Sequence, residues 1–538
     1  LHEQIDRLIE TPLAGPPAPP AADAEFIRRV YLDFAGMIPT AEQARDFLDD
    51  PSPYKRSRVL DHLLDQPEFI RRLQMFLDLW LMERRPATHV PEQEWTEFLR
   101  QSLAQSKPFP RIVREILAAD GLDPATRPAA RFYLDRAGEP LQITRDVGRL
   151  FLGKDMQCAQ CHDHVLIDDY KQAHYHGLLA FFNRSFLATE PNGKATFGEK
   201  AEGEVTYRSV FKKKSEHQTG PRILDQEELA DPPVAKGSEY VRAPGNNTHA
   251  IPAFSRRARL AEYLTSGQIP EFDRNLANRL WALLFGRGLV HPLDMHHGDN
   301  PPSHPELLEL LTREIRDRKY DLREFLRELA LTRAYARSSE PPPDASEDSL
   351  APERYAVASL RPLSPEQLAW STMQATGIVA AYRANAQADL LGRDPRLQAI
   401  VQLDQARERL GRELIEKRVH DQLTPSVQTF VRIFGKPAGQ PQEGGDATVQ
   451  QALFLANGGT LSGWLENKPH LLIGQLLALN DPDASADRLY LSILTRRPTA
   501  DERAEFRQVL ETHKDQKARA LQDLAWALLT SSEFRFNH

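Results

Sequence analysis

Asp23-Ala-Glu-Phe-Ile-Arg-Arg-Val-Tyr-Leu-Asp-Phe34 places Phe26, Ile27, Val30, Tyr31 and Phe34 at helical spacing on one face. Gly36 and Pro39 close it, because glycine accepts a left-handed C-terminal turn and proline cannot continue a helix. Thr40-Ala-Glu-Gln43 then reads as a capping box: the threonine accepts from the third amide while the glutamine side chain reaches back. The same grammar runs outward. Helices are expected over 2–10, 53–66, 67–84, 91–105, 109–119, 140–152 and 172–183, with a proline-rich spacer over 12–20. Beyond 255 they return at 255–266, 273–285, 304–318, 321–334, 364–380 and 397–417, and continue to Phe534, with Ser303 expected to cap the third of these. Only 184–254 departs from this pattern. There Gly193, Gly198 and Gly203 separate alternating stretches rich in β-formers, such as Glu204-Val-Thr-Tyr-Arg-Ser-Val-Phe211. The expected fold is mainly α, with multi-helix domains and a small β-strand insertion. The expected division is a helical domain over 1–183, the insertion over 184–254, and a second helical domain over 255–538 carrying a Pro-rich loop near 338–352.

The opening pattern recurs at the other end of the chain. Arg29-Val-Tyr-Leu32 followed by Pro39-Thr40-Ala41 answers Arg488-Leu-Tyr-Leu491 followed by Pro498-Thr499-Ala500, at a constant offset. Each is followed by a helix and an acidic-aromatic pair, Glu68-Phe69 or Glu533-Phe534, so two copies of one small helical unit are expected.

The chemistry concentrates at Cys158-Ala-Gln-Cys161-His162, which holds the only two cysteines among 538 residues. Two thiols two residues apart with a histidine next is the spacing for stitching a haem to a chain: each thiol adds across a vinyl group, and His162 meets the iron. Three other readings use the same residues. A zinc site would take both thiolates with two imidazoles from His162, His164, His174 or His176, although structural zinc usually draws on two separated clusters. A redox dithiol needs only CxxC, but it typically follows a strand, and the residues before Cys158 read as helix. Coincidence is the third.

Composition bounds the setting. Thioether attachment takes place outside the reducing cytosol, where spare cysteines would tend to pair, and this chain has none to spare. Opening at Leu1 with no charged-then-apolar leader, the sequence is expected to be exported with its signal peptide absent. No apolar run approaches the roughly 18 residues of a membrane span. The net charge is -8 and the signs are interspersed, so neither a nucleic-acid stripe nor a polybasic membrane patch is expected.

These landmarks together resemble the large periplasmic proteins of planctomycetes built from two adjoining domains of unknown function, a cytochrome-associated N-terminal domain and a C-terminal partner. The first is matched by Phe26-Ile-Arg-Arg-Val-Tyr-Leu-Asp33, by Leu150-Phe-Leu-Gly153 running into Cys158 to His164, and by Gly177-Leu-Leu-Ala-Phe-Phe182. The second is matched by Asn278-Arg-Leu-Trp281, Phe285-Gly-Arg-Gly-Leu-Val290, Asn300 to Leu308, Gln451 to Gly458 and Ser532 to His538. The resemblance spans nearly the whole chain. It implies export and one covalent haem c at the CxxCH, and no particular chemistry; many relatives carry a further N-terminal CxxCH module, which this sequence lacks.

The sixth iron ligand separates the functions that remain. A second protein ligand favours electron transfer with a periplasmic redox partner, and an open position allows oxygen or peroxide chemistry. His164 lies two residues from His162, about 200° round a helix, and reaches the same iron only if the backbone leaves the helix; bonding a backbone group is its other role. His174 and His176 sit on the next helix, where Phe181 and Phe182 are candidate walls for a porphyrin. The loop Met295-His-His-Gly-Asp-Asn-Pro-Pro-Ser-His304 places one methionine and three imidazoles within ten residues, and is expected to pack at the haem edge through His304 or a neighbour. The enzymatic alternative is haem-dependent, or uses a carboxylate pair such as Asp294 and Asp299 on polysaccharide. A scaffold with a structural haem is the third reading.

Overall fold

The structure is a computed structural model, and it describes residues 1–13, 15–211, 216–245, 248–343, 345–393, 405–442 and 448–538. The chain is mainly α-helical, and its few strands form two-stranded pairs. It divides into two compact units, the first built from Leu1–Leu13, Gln74–Thr332 and Ala351–Arg354 and the second from Ala14–Leu73, Arg333–Leu350 and Tyr355–His538.

In the first unit, the helix Pro140–Leu152 leads to the cysteines. Proline in its first turn and the Glu139 cap start it, and Gly153 ends it with a left-handed φ of 68°. Ile143, Val147, Leu150 and Phe151 form its buried face. Its opposite anchor is ionic: Arg149 grips Glu83 with two hydrogen bonds of 2.6 and 2.7 Å, while Arg136 and Arg85 meet Asp146 at 2.6 and 2.9 Å. Such buried charges are tolerable because each is paired. The helix Pro270–Phe285 repeats the logic, with proline at its start and Gly286 at φ 77° as its stop. The aromatic stack Trp80, Phe109, Phe272 forms part of the core, with ring centroids 5.1 and 5.9 Å apart.

Three antiparallel pairs occupy the stretch where strands were expected: Ser185–Thr189 with Ala195–Glu199, Val205–Tyr207 with His217–Thr219, and Tyr240–Arg242 with Ile251–Pro252. Arg222 crosses the helix Gln172–Leu179 so closely that a Cβ on Gly177 would lie 2.4 Å from its side chain. That contact explains the glycine in Gly177-Leu-Leu-Ala. The helix expected to run to 183 stops at Leu179. Ser303 is not a cap: His304 occupies the cap position before Pro305, without a side-chain hydrogen bond to the helix, and the Ser303 amide donates to Leu289 O.

In the second unit, the expected capping box at Thr40 is present, and the repeat counterpart Thr499 has one as well. Thr40 accepts from the Gln43 amide at 3.1 Å, and Thr499 accepts from the Glu502 amide at 3.2 Å, each box returning the second bond. Each opens a helix, Ala41–Asp49 or Ala500–Thr512, that follows an amphipathic helix, Asp23–Phe34 or Pro482–Leu494. The fully buried Arg28 joins the two copies, donating to Ile493 O at 3.3 Å and Phe534 O at 2.6 Å. The helix expected over 364–380 is two, Pro365–Ala375 and Ile378–Arg393, broken at Gly377 with φ 87°. The helix Gln405–Phe434 begins inside the one expected over 397–417, whose first part lies outside the described residues.

Candidate functional site

Past Gly153 the chain turns at once. Lys154 pairs with Met295 as a β-bridge, Met156 buries its side chain against Gly148, and a 3-10 turn spans Cys158–Gln160. The turn faces Cys158 and Cys161 outward: both are exposed and unbonded, while Ala159 between them is buried. A helix, not a strand, precedes them.

His162 has its Nδ1 2.6 Å from Asp163 O. A carbonyl only accepts, so Nδ1 carries the proton and the lone pair is on Nε2, the nitrogen by which an imidazole most readily binds a metal when its other nitrogen is so oriented. Gln172 braces this turn. Its amide donates to Asp163 Oδ1 at 2.8 Å, and its side chain donates to Gln160 O at 3.4 Å and Arg208 O at 3.1 Å. The segment after strand Val205–Tyr207 is thereby drawn alongside, where the Val210 amide donates to Cys161 O at 3.1 Å and the Phe211 ring lies 4.8 Å from the His162 ring.

Two pairs of apolar side chains flank the CxxCH in solvent. Val165 and Leu166 are 74% and 82% exposed, and Val210 and Phe211 are 53% and 72% exposed. Sequence reasoning passed over all four, because none stands at helical spacing. It favoured Phe181 and Phe182 as walls, and the structure corrects this: both are fully buried, with Phe182 packed 6.1 Å from Tyr133, so neither has a free face.

The other histidines divide by what their nitrogens already do. His164 Nδ1 accepts from the Leu166 and Ile167 amides at 3.2 and 3.0 Å, so its remaining nitrogen is the protonated one, and it serves a backbone turn. His174 has Asp169 O at 3.0 Å and Asp225 Oδ1 at 2.8 Å, leaving neither nitrogen available. His176 donates from Nε2 to Gln160 O at 3.1 Å and stacks on Tyr207 at 4.4 Å; burial lowers its pKa and leaves Nδ1 without a partner. Among the described residues no three of His, Cys, Asp and Glu are grouped to hold a bare metal ion.

The loop 294–300 lies against both flanks of the CxxCH stretch. Asp155 N donates to Asp294 O at 2.8 Å, His296 N to Gly153 O at 2.9 Å, Lys154 Nζ to His296 O at 2.7 Å, and Gly298 N to Asp169 Oδ2 at 2.6 Å. Asn278, from the helix Pro270–Phe285, holds the loop from behind by pairing with Val290 through both its amide atoms and reaching His296 Nε2 at 3.3 Å. Burial, with Arg279, Lys154 and Arg274 nearby, pushes His296 down to about 3. Asn278 and the glycine turn are thus parts of one clasp, since a Cβ on Gly288 would meet Val290 O at 2.4 Å. His304 lies at the far end of the loop with Nδ1 3.1 Å from Ser303 Oγ, and burial and Arg354 lower its pKa. Asp294 sits 3.8 Å from Arg149 in the buried ionic network, whereas Asp299 is exposed, so the two differ in environment.

The donor set suits a thioether-linked haem: two thiols in solvent, an imidazole with a free Nε2, and four apolar side chains that a porphyrin would cover. No helix among the described residues is long and apolar enough to cross a membrane. Residues 4–186 match PSCyt2, a protein of unknown function (DUF1549), and residues 256–510 match PSD1, a protein of unknown function (DUF1553). No curated protein and no solved structure matches the chain. The chain therefore carries DUF1549 and DUF1553 domains in tandem, an arrangement consistent with a two-domain family of unknown function.

Proposed function

We propose that this chain is an exported, single-haem c-type cytochrome-like protein of the planctomycete two-domain type, passing one electron at a time to or from a periplasmic carrier protein. Cys158 and Cys161 would hold the haem c through thioethers, and His162 would offer Nε2 to its iron. The observation that carries the reading is the conjunction at one place of exposed thiols, the His162 tautomer and exposed apolar side chains on both flanks. When bound, the group supplies a ferric/ferrous couple, one electron entering from one carrier and leaving to another. The chain's own residues supply the rest. Asp163 O orients the imidazole, Gln172 fixes the turn, and Val165, Leu166, Val210 and Phe211 would shield a bound haem from water, which would tune its potential.

The test is production with an export leader in a host that attaches c-type haem, followed by denaturing electrophoresis with haem staining. One stained band at full-length mass is expected, lost in Cys158→Ser/Cys161→Ser. Colour that acid-acetone extracts from the wild type, or unchanged staining in the double variant, refutes the proposal.

A further inference from the structure

We infer that His297 is the sixth iron ligand, so that the DUF1553 portion of the chain closes the haem site that the DUF1549 portion begins. The inference rests on the haem reading above and deepens it, because it decides between electron transfer and an open, oxygen-reactive iron.

The first ground is a census of lone pairs. His164 and His174 have their accepting or donating nitrogens engaged by Leu166, Ile167, Asp169 and Asp225. His296 Nε2 faces the Asn278 amide, and His176 uses Nε2 on Gln160 O inside a stacked pair of rings. His297 differs: neither ring nitrogen makes a hydrogen bond among the described residues, and its Nδ1 is sequestered from water. With Nδ1 held away from water and unbonded, Nε2 is the ring nitrogen that can meet an iron.

Placement is the second ground. His297 stands between two anchors, the His296 amide on Gly153 O and the Gly298 amide on Asp169 Oδ2, which lie on opposite sides of the CxxCH in sequence. Its own turn is closed by a bridge to Asn300, whose side chain donates to Met295 O at 2.8 Å and His291 O at 3.3 Å. The imidazole is half-exposed and rests edge-on against buried Tyr170, ring centroids 5.6 Å apart, with Tyr170 in turn 6.0 Å from the His164 ring. A ligand delivered by a pinned loop loses little entropy on binding. His217 is the nearest competitor: it stacks on Tyr207 at 5.4 Å, but it is exposed on a strand of three residues without a comparable clasp.

The test uses the full chain with haem attached, its covalent content quantified first. Wild type is expected to show a six-coordinate low-spin spectrum by visible absorption and electron paramagnetic resonance in both iron states. His297→Ala should keep its haem content, become high-spin in the ferric state, and return to low spin on adding imidazole. His297→Met should stay low-spin with a raised potential, which covers the case in which the alanine variant fails to fold. A high-spin wild type, a His297→Ala spectrum identical to wild type, or loss of low spin in His217→Ala instead would overturn the inference while leaving covalent haem intact. A wild type without covalent haem overturns the haem reading itself, and with it this assignment.

Discussion

Gly153 and His296 lock the two sides of the site together: the His296 amide donates to Gly153 O at 2.9 Å, and a Cβ on Gly153 would lie 2.8 Å from His296 Cδ2. The glycine also has φ 68°, which a side chain resists. Gly153→Ala is therefore expected to cost about 1–3 kcal/mol, read as a lower unfolding midpoint. It should also shift the haem spectrum by displacing the loop that carries His297. A spectrum unchanged alongside reduced stability would separate the two roles.

Asn278 is expected to be as costly for a different reason. Removing its side chain leaves Val290 N and O unpaired in a buried place, and each unsatisfied group costs about 1–3 kcal/mol. Asn278→Ala should lower the denaturation midpoint, and hydrogen exchange should show the amides of 288–298 losing protection before the rest of the unit.

The two capping boxes should answer differently to acid. Arg496, bonded to both oxygens at 2.7 and 2.8 Å, holds Glu502 down at about 2, with the Thr499 amide helping and burial opposing. The folded pKa lies below the ordinary carboxylate value, so this stabilisation is fully present above about pH 4.5 and is lost as pH falls through about 2. Glu502→Gln should be less stable than wild type at neutral pH by about 0.5–1 kcal/mol, with the difference shrinking below pH 4.5 and gone only below about pH 2. The equivalent Gln43 carries no charge, so the penalty of Gln43→Ala should stay constant over the same range.

Phe211 offers the cleanest separation of fold from cofactor. At 72% exposure it contributes little to the folded chain without haem, so Phe211→Ser should leave the unfolding midpoint of haem-free protein within about 0.5 kcal/mol. In haem-loaded protein it should move the midpoint potential, because it lets water reach the ring edge beside His162. An identical potential in the two proteins would remove Phe211 from the site.

Local sequence determined the helices wherever one face is apolar and the ends carry their own stop signals, as in Asp23–Phe34 with its capping box beyond, or Pro140–Leu152 ending at Gly153. Capping and periodicity act over three or four residues, so they are legible in a string. The CxxCH was legible for the same reason, since the attachment chemistry depends on spacing along the chain. Tertiary structure decided what those rules cannot reach. It buried Phe181 and Phe182, which on a helix face look the same whether they meet a ligand or a core. It made His304 the residue before a helix and brought His297 to the CxxCH flank, because which loop tip reaches a site depends on contacts such as Asn278 to Val290 and Gly298 to Asp169 between residues far apart in sequence. It also settled which histidine nitrogens are occupied. A lone pair is lost or kept according to the carbonyl or amide that folding happens to place beside it, and no spacing rule encodes that.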